Sequence, residues 1–199
     1  MQFTLISKTF DANIPAVIAA LLLVLLAFTA IVGPAFIHYR PDAVDLNQLK
    51  QPPNKEHLLG TDSKGRDILS RLVYGSRISL SVGIIASSLS MCIGIFFGLI
   101  SGYFGGKVDM ILSQIFDIFL AFPSLLLAIG ISTVMPPGLT SAMLAITLVG
   151  WAGFARLVRG ITLSLKEQTY IEASRALGAS SARILYKHVL PNALPLLFV

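Results

Sequence analysis

The sequence is poor in the residues on which soluble domains and most enzymes depend. Only 13% of its residues are charged, about half of the roughly 25% usual in soluble globular domains. That excludes an ordinary water-covered surface. There is a single cysteine, Cys92, set in an apolar run, so no intrachain disulfide is possible. The three histidines, His38, His57 and His188, are scattered without the spacing of a ligand set, and no metal site is expected from them. No phosphate-binding loop is present. "GYFGGKVD" contains Gly-Lys but lacks both the upstream glycine at the required distance and the following Ser or Thr. A nucleophile elbow and a paired-carboxylate cleft are also missing. No catalytic residue is assigned, and the chain is not expected to be an enzyme or to bind a cofactor of its own.

What fills the sequence instead is apolar. Hydrophobic residues make up 55%, mean hydropathy is +0.79, and the apolar residues come in long runs. A hydrocarbon layer requires about 20 consecutive apolar residues per crossing helix. The expected fold class is therefore all-α, a polytopic transmembrane helical bundle with the lipid bilayer as its solvent. Two regions follow. Residues 1–77 hold a first span at 14–37 and a polar loop. Residues 78–199 hold spans at 78–100, 110–135 and 138–155, and the start of a fifth from 190. Pro15 suits a helix start, Pro34 stops or bends the first span, and Pro123 kinks the third. The N-terminal "MQFTLISKTF" leads into a run too long for a signal peptide, which reads as a retained span. If the N-terminus is cytoplasmic, the loop from His38 to Arg77 is external and the segment from 166 to 191 is cytoplasmic. Lys and Arg outnumber acids six to two from Arg156 to Val189, which fits that orientation, but seven to five in the external loop, which does not.

The segment from 166 to 191 is polar, basic and helix-forming. Thr169 and Glu172 have the spacing of a capping box. Gly178 reads as the end of a short helix, and Ser180 as the cap of a second that stops before Pro191. Leu177, Ile184, Leu185 and Val189 form an apolar stripe, with Arg175, Arg183 and Lys187 as the cationic surface. Three readings of the residues stand: an amphipathic helix lying at the membrane interface, a docking helix for a cytoplasmic partner, and a DNA-binding helix-turn-helix, which has similar spacing but is disfavoured for a segment wedged between spans.

Glu172, Ala173 and Ser174, then Gly178, His188, Leu190 and Pro191, resemble the "EAA" signature of ABC-importer permeases. That signature is Glu-Ala-Ala, three residues, Gly, nine residues, Ile-x-Leu-Pro. Ser174 and His188 depart from it, and a His at that place is similar to the dipeptide/oligopeptide/nickel branch. The resemblance implies that this segment is the cytoplasmic coupling helix, or EAA loop, docking on a separate ATPase. Glu172 keeps two readings, helix-cap partner and partner contact. The implied assembly has a second, homologous permease, two ATP-binding subunits that use ATP-Mg, and an extracytoplasmic solute-binding protein. It sits in a bacterial or archaeal plasma membrane. Its cargo is peptide, with nickel or another small solute as the alternative. Permeases of this branch have six spans, so the sequence reads as truncated at its C-terminus.

A second stretch, His57 to Leu80, carries Gly60, Thr61, Asp62, Gly65, Arg66 and Asp67. It resembles the Gly-Thr-Asp-x-x-Gly-Arg-Asp motif in the first external loop of the same branch. The residues themselves indicate a turn, then a helix capped by Asp67 with Ile68, Leu69, Leu72 and Val73 on one face and Arg66, Ser70 and Arg71 on the other. Two readings stand: a helix lying on the bilayer surface, and contact with a docked binding protein or external gate.

Within the spans, Ser90, Gly94, Gly98 and Gly102 recur every four residues, a face on which another helix can approach closely. Asp117 is an ionisable residue inside the third span. It lines the pathway, pairs with a partner subunit, or bonds a neighbour, and in an ion-driven carrier it would handle a proton or cation. Arg156 and Arg159 read as interfacial anchors ending the fourth span.

Overall fold

The computed structural model describes residues 14–197; the first thirteen residues, with the "MQFTLISKTF" stretch, and the last two lie outside them. Among the described residues every regular element is helical, apart from one isolated bridge between Thr61 and Asp67. The chain divides into two compact units, Met1–Val82 and Gly83–Val199.

The first unit contains α1 (Ile14–Val32), a 3₁₀ turn (Gly33–Ala35), the polar loop and the start of α2 (Ile68–Phe104). Pro34 sits in the 3₁₀ turn and ends the first apolar run. Gly33 lets Val73 approach: a Cβ built on it would lie 2.6 Å from Val73 Cγ1. α2 starts ten residues before the expected second span, because Asp67 caps it and no break follows. The amphipathic stretch and the span are one helix of 37 residues.

The second unit holds the rest of α2, then α3 (Gly106–Ala121), α4 (Ser124–Val134) and α5 (Leu139–Lys166). The third span is not a kinked rod. At Phe122 the backbone is extended, and α3 and α4 meet at 91°. Pro123 has no N–H to continue the first helix and disfavours helical backbone at Phe122, so the chain starts afresh. Among the described residues three helices are long and apolar enough to cross a membrane, and four spans result if the bent pair counts as one. α5 runs 28 residues, eleven past the expected end at Ala155. The two arginines expected at its end are inside it, each matched by an aspartate on α3.

α2 and α5 pack along the four-residue stripe. A Cβ on Gly94 would lie 2.4 Å from Phe154 Cβ, on Gly98 2.6 Å from the Ala155 carbonyl, and on Gly102 2.7 Å from Thr162 Cβ. Ser90 donates from Oγ to the Thr147 carbonyl at 3.1 Å. The helix that meets this face is therefore the chain's own α5. Beside it Trp151 is ringed by Phe97, Phe116 and Phe119 at centroid distances of 5.2 to 5.6 Å.

The chain ends in α6 (Thr169–Ala176), α7 (Ser181–Ile184), a π turn (Leu185–Val189) and α8 (Leu190–Leu197). From Ser181 to Leu197 these run on without a break, so Pro191 does not stop the helix before it. The wide π turn takes up the missing N–H of Pro191, and Asn192 Nδ2 donates to the His188 carbonyl at 2.6 Å.

Candidate functional site

Two built features and two ion pairs emerge around the residues singled out above. The first feature is the α6–α7 elbow. Its start is not the expected capping box. Gln168 occupies the cap position without a side-chain bond, and its carbonyl already accepts from the N–H groups of Ile171 and Glu172. Thr169 is thus inside the first turn, and Glu172 is exposed rather than bonded back to it. The end of α6 is fully closed. Gly178 has φ +80°, its N–H donates to the Arg175 carbonyl at 3.0 Å, and Ala179 N–H donates to the Ser174 carbonyl at 3.1 Å. This is a Schellman closure, which requires a left-handed residue at the glycine. Ser180 Oγ then accepts from Arg183 N–H at 3.4 Å.

The elbow is fastened from beneath. Ile171, Ile184 and Val189 are fully buried and pack with Leu99 of α2 and Val158 of α5. Arg175 adds a guanidinium 5.8 Å from the Tyr103 ring centre, within range of a cation–π contact. Leu177 is not part of the apolar stripe. It is 89% exposed, because the positive φ of Gly178 turns the chain there and carries it away from the buried face. Glu172, Ala173, Gly178 and Pro191 are also exposed, whereas Ser174, His188 and Leu190 are half-buried. Ser174 Oγ donates to the Tyr170 carbonyl at 2.8 Å, and the rings of Tyr170 and His188 lie 6.3 Å apart.

The second feature is the loop from Gln48 to Arg71. Asp62 gathers it: one oxygen accepts from the N–H groups of Lys64 and Arg66 at 2.8 and 3.1 Å. The other accepts from Arg66 Nε at 2.8 Å and Arg71 Nη1 at 3.0 Å. The Arg66 guanidinium, acting against the cost of burial and helped by those N–H groups, holds the Asp62 carboxyl well below the usual carboxylate range. Gly65 has φ +71°, and a Cβ there would lie 1.7 Å from the Asp45 carbonyl oxygen. Thr61 donates from Oγ1 to the Gln48 carbonyl at 2.5 Å and accepts from Gln51 N–H at 2.8 Å. Gly60 N–H donates to the His57 carbonyl at 2.8 Å.

Asp67 is buried at 5% exposure. Its Oδ2 accepts from Ser70 N–H at 2.7 Å and Ser70 Oγ at 2.6 Å, and its Oδ1 faces His57 Nδ1 at 3.0 Å. Burial works to raise its pKa, but the Ser70 and His57 contacts outweigh it and the net shift is downward. Ser70 was expected on the outer face with the arginines; it is fully buried because it completes this cap. His57 Nε2 meets Gln48 Oε1 at 2.5 Å, and Tyr39 lies over the ring at 4.7 Å. The sequence pattern did not point to Gln48, or to His57 and Ser70 as partners of Asp67. His57 lies ten residues from its carboxylate, and no local periodicity links the two.

The aspartates of α3 and the arginines of α5 are paired. Asp109 is held by Arg159 through Nε at 2.5 Å and Nη2 at 2.7 Å, and by Ser101 Oγ at 2.5 Å. Asp117 pairs with Arg156. Of the three readings of Asp117, bonding to a neighbour describes its position within this chain. One sequence signal for the pairs was available: two acids and two bases on consecutive apolar runs. Among the described residues, no group of three His, Cys, Asp or Glu is placed to hold a metal ion.

Residues 94–199 match the model of the binding-protein-dependent transport system inner membrane component. The chain is 43% identical over 185 residues to the oligopeptide transport system permease protein of Bacillus subtilis, covering 93% of this chain and 61% of the relative. It is 40% identical over 199 residues to the dipeptide transport system permease protein of Alkalihalophilus pseudofirmus, covering 97% and 66%. It is 44% identical over 149 residues to the glutathione transport system permease protein of Pectobacterium atrosepticum, covering 75% and 50%. The chain thus spans between half and two thirds of the length of these relatives.

Proposed function

The chain belongs to the binding-protein-dependent transport system inner membrane component family, and from that premise we propose that it is a multi-pass permease subunit of an ATP-driven importer of di- and oligopeptides. The family is a transport component of a multi-subunit complex rather than an enzyme. In our reading the partners are a homologous second permease, two ATP-binding subunits that hold ATP-Mg, and an extracytoplasmic solute-binding protein. The N-terminus is cytoplasmic, as is the elbow.

The observation that carries this reading is the elbow. Its polar atoms are closed by the Gly178 turn and the Ser180 cap, its inner face is fixed by Ile171, Ile184 and Val189, and its tip offers Leu177 and Tyr186 at 89% and 78% exposure. A stiff element anchored to two spans, with large apolar side chains outermost, is suited to enter a cleft on a cytoplasmic ATPase and pass its closure to those spans. Peptide cargo is supported by what the relatives' names say of them. An ion-driven carrier would use a free carboxylate in the span, whereas Asp117 is matched by Arg156.

The test is mass spectrometry of what co-purifies with the tagged chain from its native membrane, joined to uptake of a labelled dipeptide. We expect an ATPase pair, a second permease and a binding protein, and uptake that stops when ATP is depleted. Recovery of no ATPase would sink the proposal.

A further inference from the structure

The two ion pairs between α3 and α5 are built differently. The side chains of Asp109 and Arg159 are 18% and 30% exposed, and Ser101 and Ser113 complete the carboxylate. Those of Asp117 and Arg156 are 63% and 56% exposed, and among the described residues their one side-chain hydrogen bond is to each other. The first pair is a finished structural joint. The second has unused donors and an unused acceptor.

Its depth makes that openness informative. Arg156 is the eighteenth residue of α5 and Asp117 the twelfth of α3. At about 1.5 Å per residue, Arg156 lies roughly 25 Å from one end of its helix and 15 Å from the other. Asp117 lies roughly 17 Å from the start of α3. With about 30 Å of hydrocarbon to cross, both fall at membrane depth. Exposed charges are not sustained against lipid there; they face water or protein. The space in front of Arg156 is open: Gly153 and Gly160 flank it by one turn, and a Cβ on either would meet nothing within 4 Å. Arg156 also lines a groove together with Leu157, Gly160, Ile161, Ser164 and Leu196.

We propose that the Asp117–Arg156 pair is a counter-charge site for a zwitterionic solute in a water-filled path, the guanidinium taking a free carboxylate and the Asp117 carboxylate a free ammonium. This rests on the reading of the chain as a peptide permease subunit. When no solute is present the two side chains neutralise each other, so the path carries no uncompensated charge. An entering zwitterion exchanges one ion pair for two and brings in no net charge. A lone ion satisfies only one side and leaves the other charge without a partner, so it gains one contact where a zwitterion gains two. The chemistry selects for a molecule with both termini free.

The experiment uses the full chain in its native membrane. Gly160→Cys is placed in a Cys92→Ser background and treated with a membrane-impermeant sulfonated methanethiosulfonate. We expect labelling, slowed about tenfold by alanyl-alanine, the scale of one charge-assisted contact. N-acetyl-alanyl-alanine amide, with both termini blocked, should not slow it. N-acetyl-alanyl-alanine and alanyl-alanine amide, each with one terminus blocked, should protect less than alanyl-alanine, and adding either Arg156→Gln or Asp117→Asn should abolish protection by alanyl-alanine. Labelling of each charge variant without peptide reports that the face is still formed. Absence of labelling in the parent, or equal protection by the doubly blocked peptide, overturns the proposal. Protection with no co-purifying ATPase would instead leave this site standing and remove the importer reading.

Discussion

The loop from Gln48 to Arg71 and the elbow are both rich in polar residues, yet they spend them in opposite ways. The loop turns its polar groups inward. His57, Thr61, Asp67 and Ser70 are buried and bonded to one another or to nearby backbone. The elbow hides three aliphatic residues and leaves Glu172, Leu177 and Tyr186 outside. A segment whose polar groups are satisfied within itself holds its shape without a partner. One that leaves large apolar side chains at its tip has surface that a partner can cover. The two motifs are therefore expected to fail differently when altered: the loop by unfolding, the elbow by losing its contact.

The sharpest test of that contrast is Asp67→Ala. It strips the cap from α2 and leaves buried His57 and Ser70 without their acceptor, at a cost of roughly 2–4 kcal/mol. Limited proteolysis should then cut the loop, with co-purification of partners at the elbow retained. Ile184→Ala attacks the elbow from beneath and should cost about 3 kcal/mol, read as lower thermal stability together with weaker ATPase recovery. Gly178→Val forces a β-branched residue into a left-handed turn, a penalty of about 1–2 kcal/mol, and should reduce ATPase recovery more than it reduces stability. Leu177→Ala should change stability by less than about 0.5 kcal/mol while still reducing ATPase recovery; unchanged recovery would remove Leu177 from the contact.

The smallest effect expected is on pH. Asp62 is ionised in the folded loop, with its pKa depressed by Arg66. Its stabilisation is present above the ordinary carboxylate value of about 3.9 and disappears as pH falls below it. Protease sensitivity of the loop should therefore stay flat from neutral pH down to that range and rise only beneath it. Asp62→Asn should flatten the acid limb.

Much of the helical frame is legible from residue order alone. Apolar run length marks α1, α2 and α5. The four-residue period marks the face at Ser90, Gly94, Gly98 and Gly102. The glycine after a polar helix marks Gly178. These are local signals, in which spacing along the chain is spacing in the helix. What escaped depends on distance through space. Asp109 and Arg159 are fifty residues apart, and His57 reaches Asp67 only because Gly65 folds the loop back. Small local competitions account for the rest. Gln168 starts α6 one residue early and puts the Thr169–Glu172 pair out of register. A π turn absorbs Pro191, so a residue that reads as a stop lies within a continuous helical run.

The right-angle break at Phe122–Pro123 has an electrical consequence. α3 ends there with carbonyl groups lacking helical partners, and α4 begins with amide groups in the same state. Each end carries about half an elementary charge, negative at the carbonyls and positive at the amides. At membrane depth such ends must be met by water or by another polypeptide. The break is thus a permanent dipolar terminal made of backbone. No protonation can silence it, and no side-chain substitution that keeps the bend can reverse its sign.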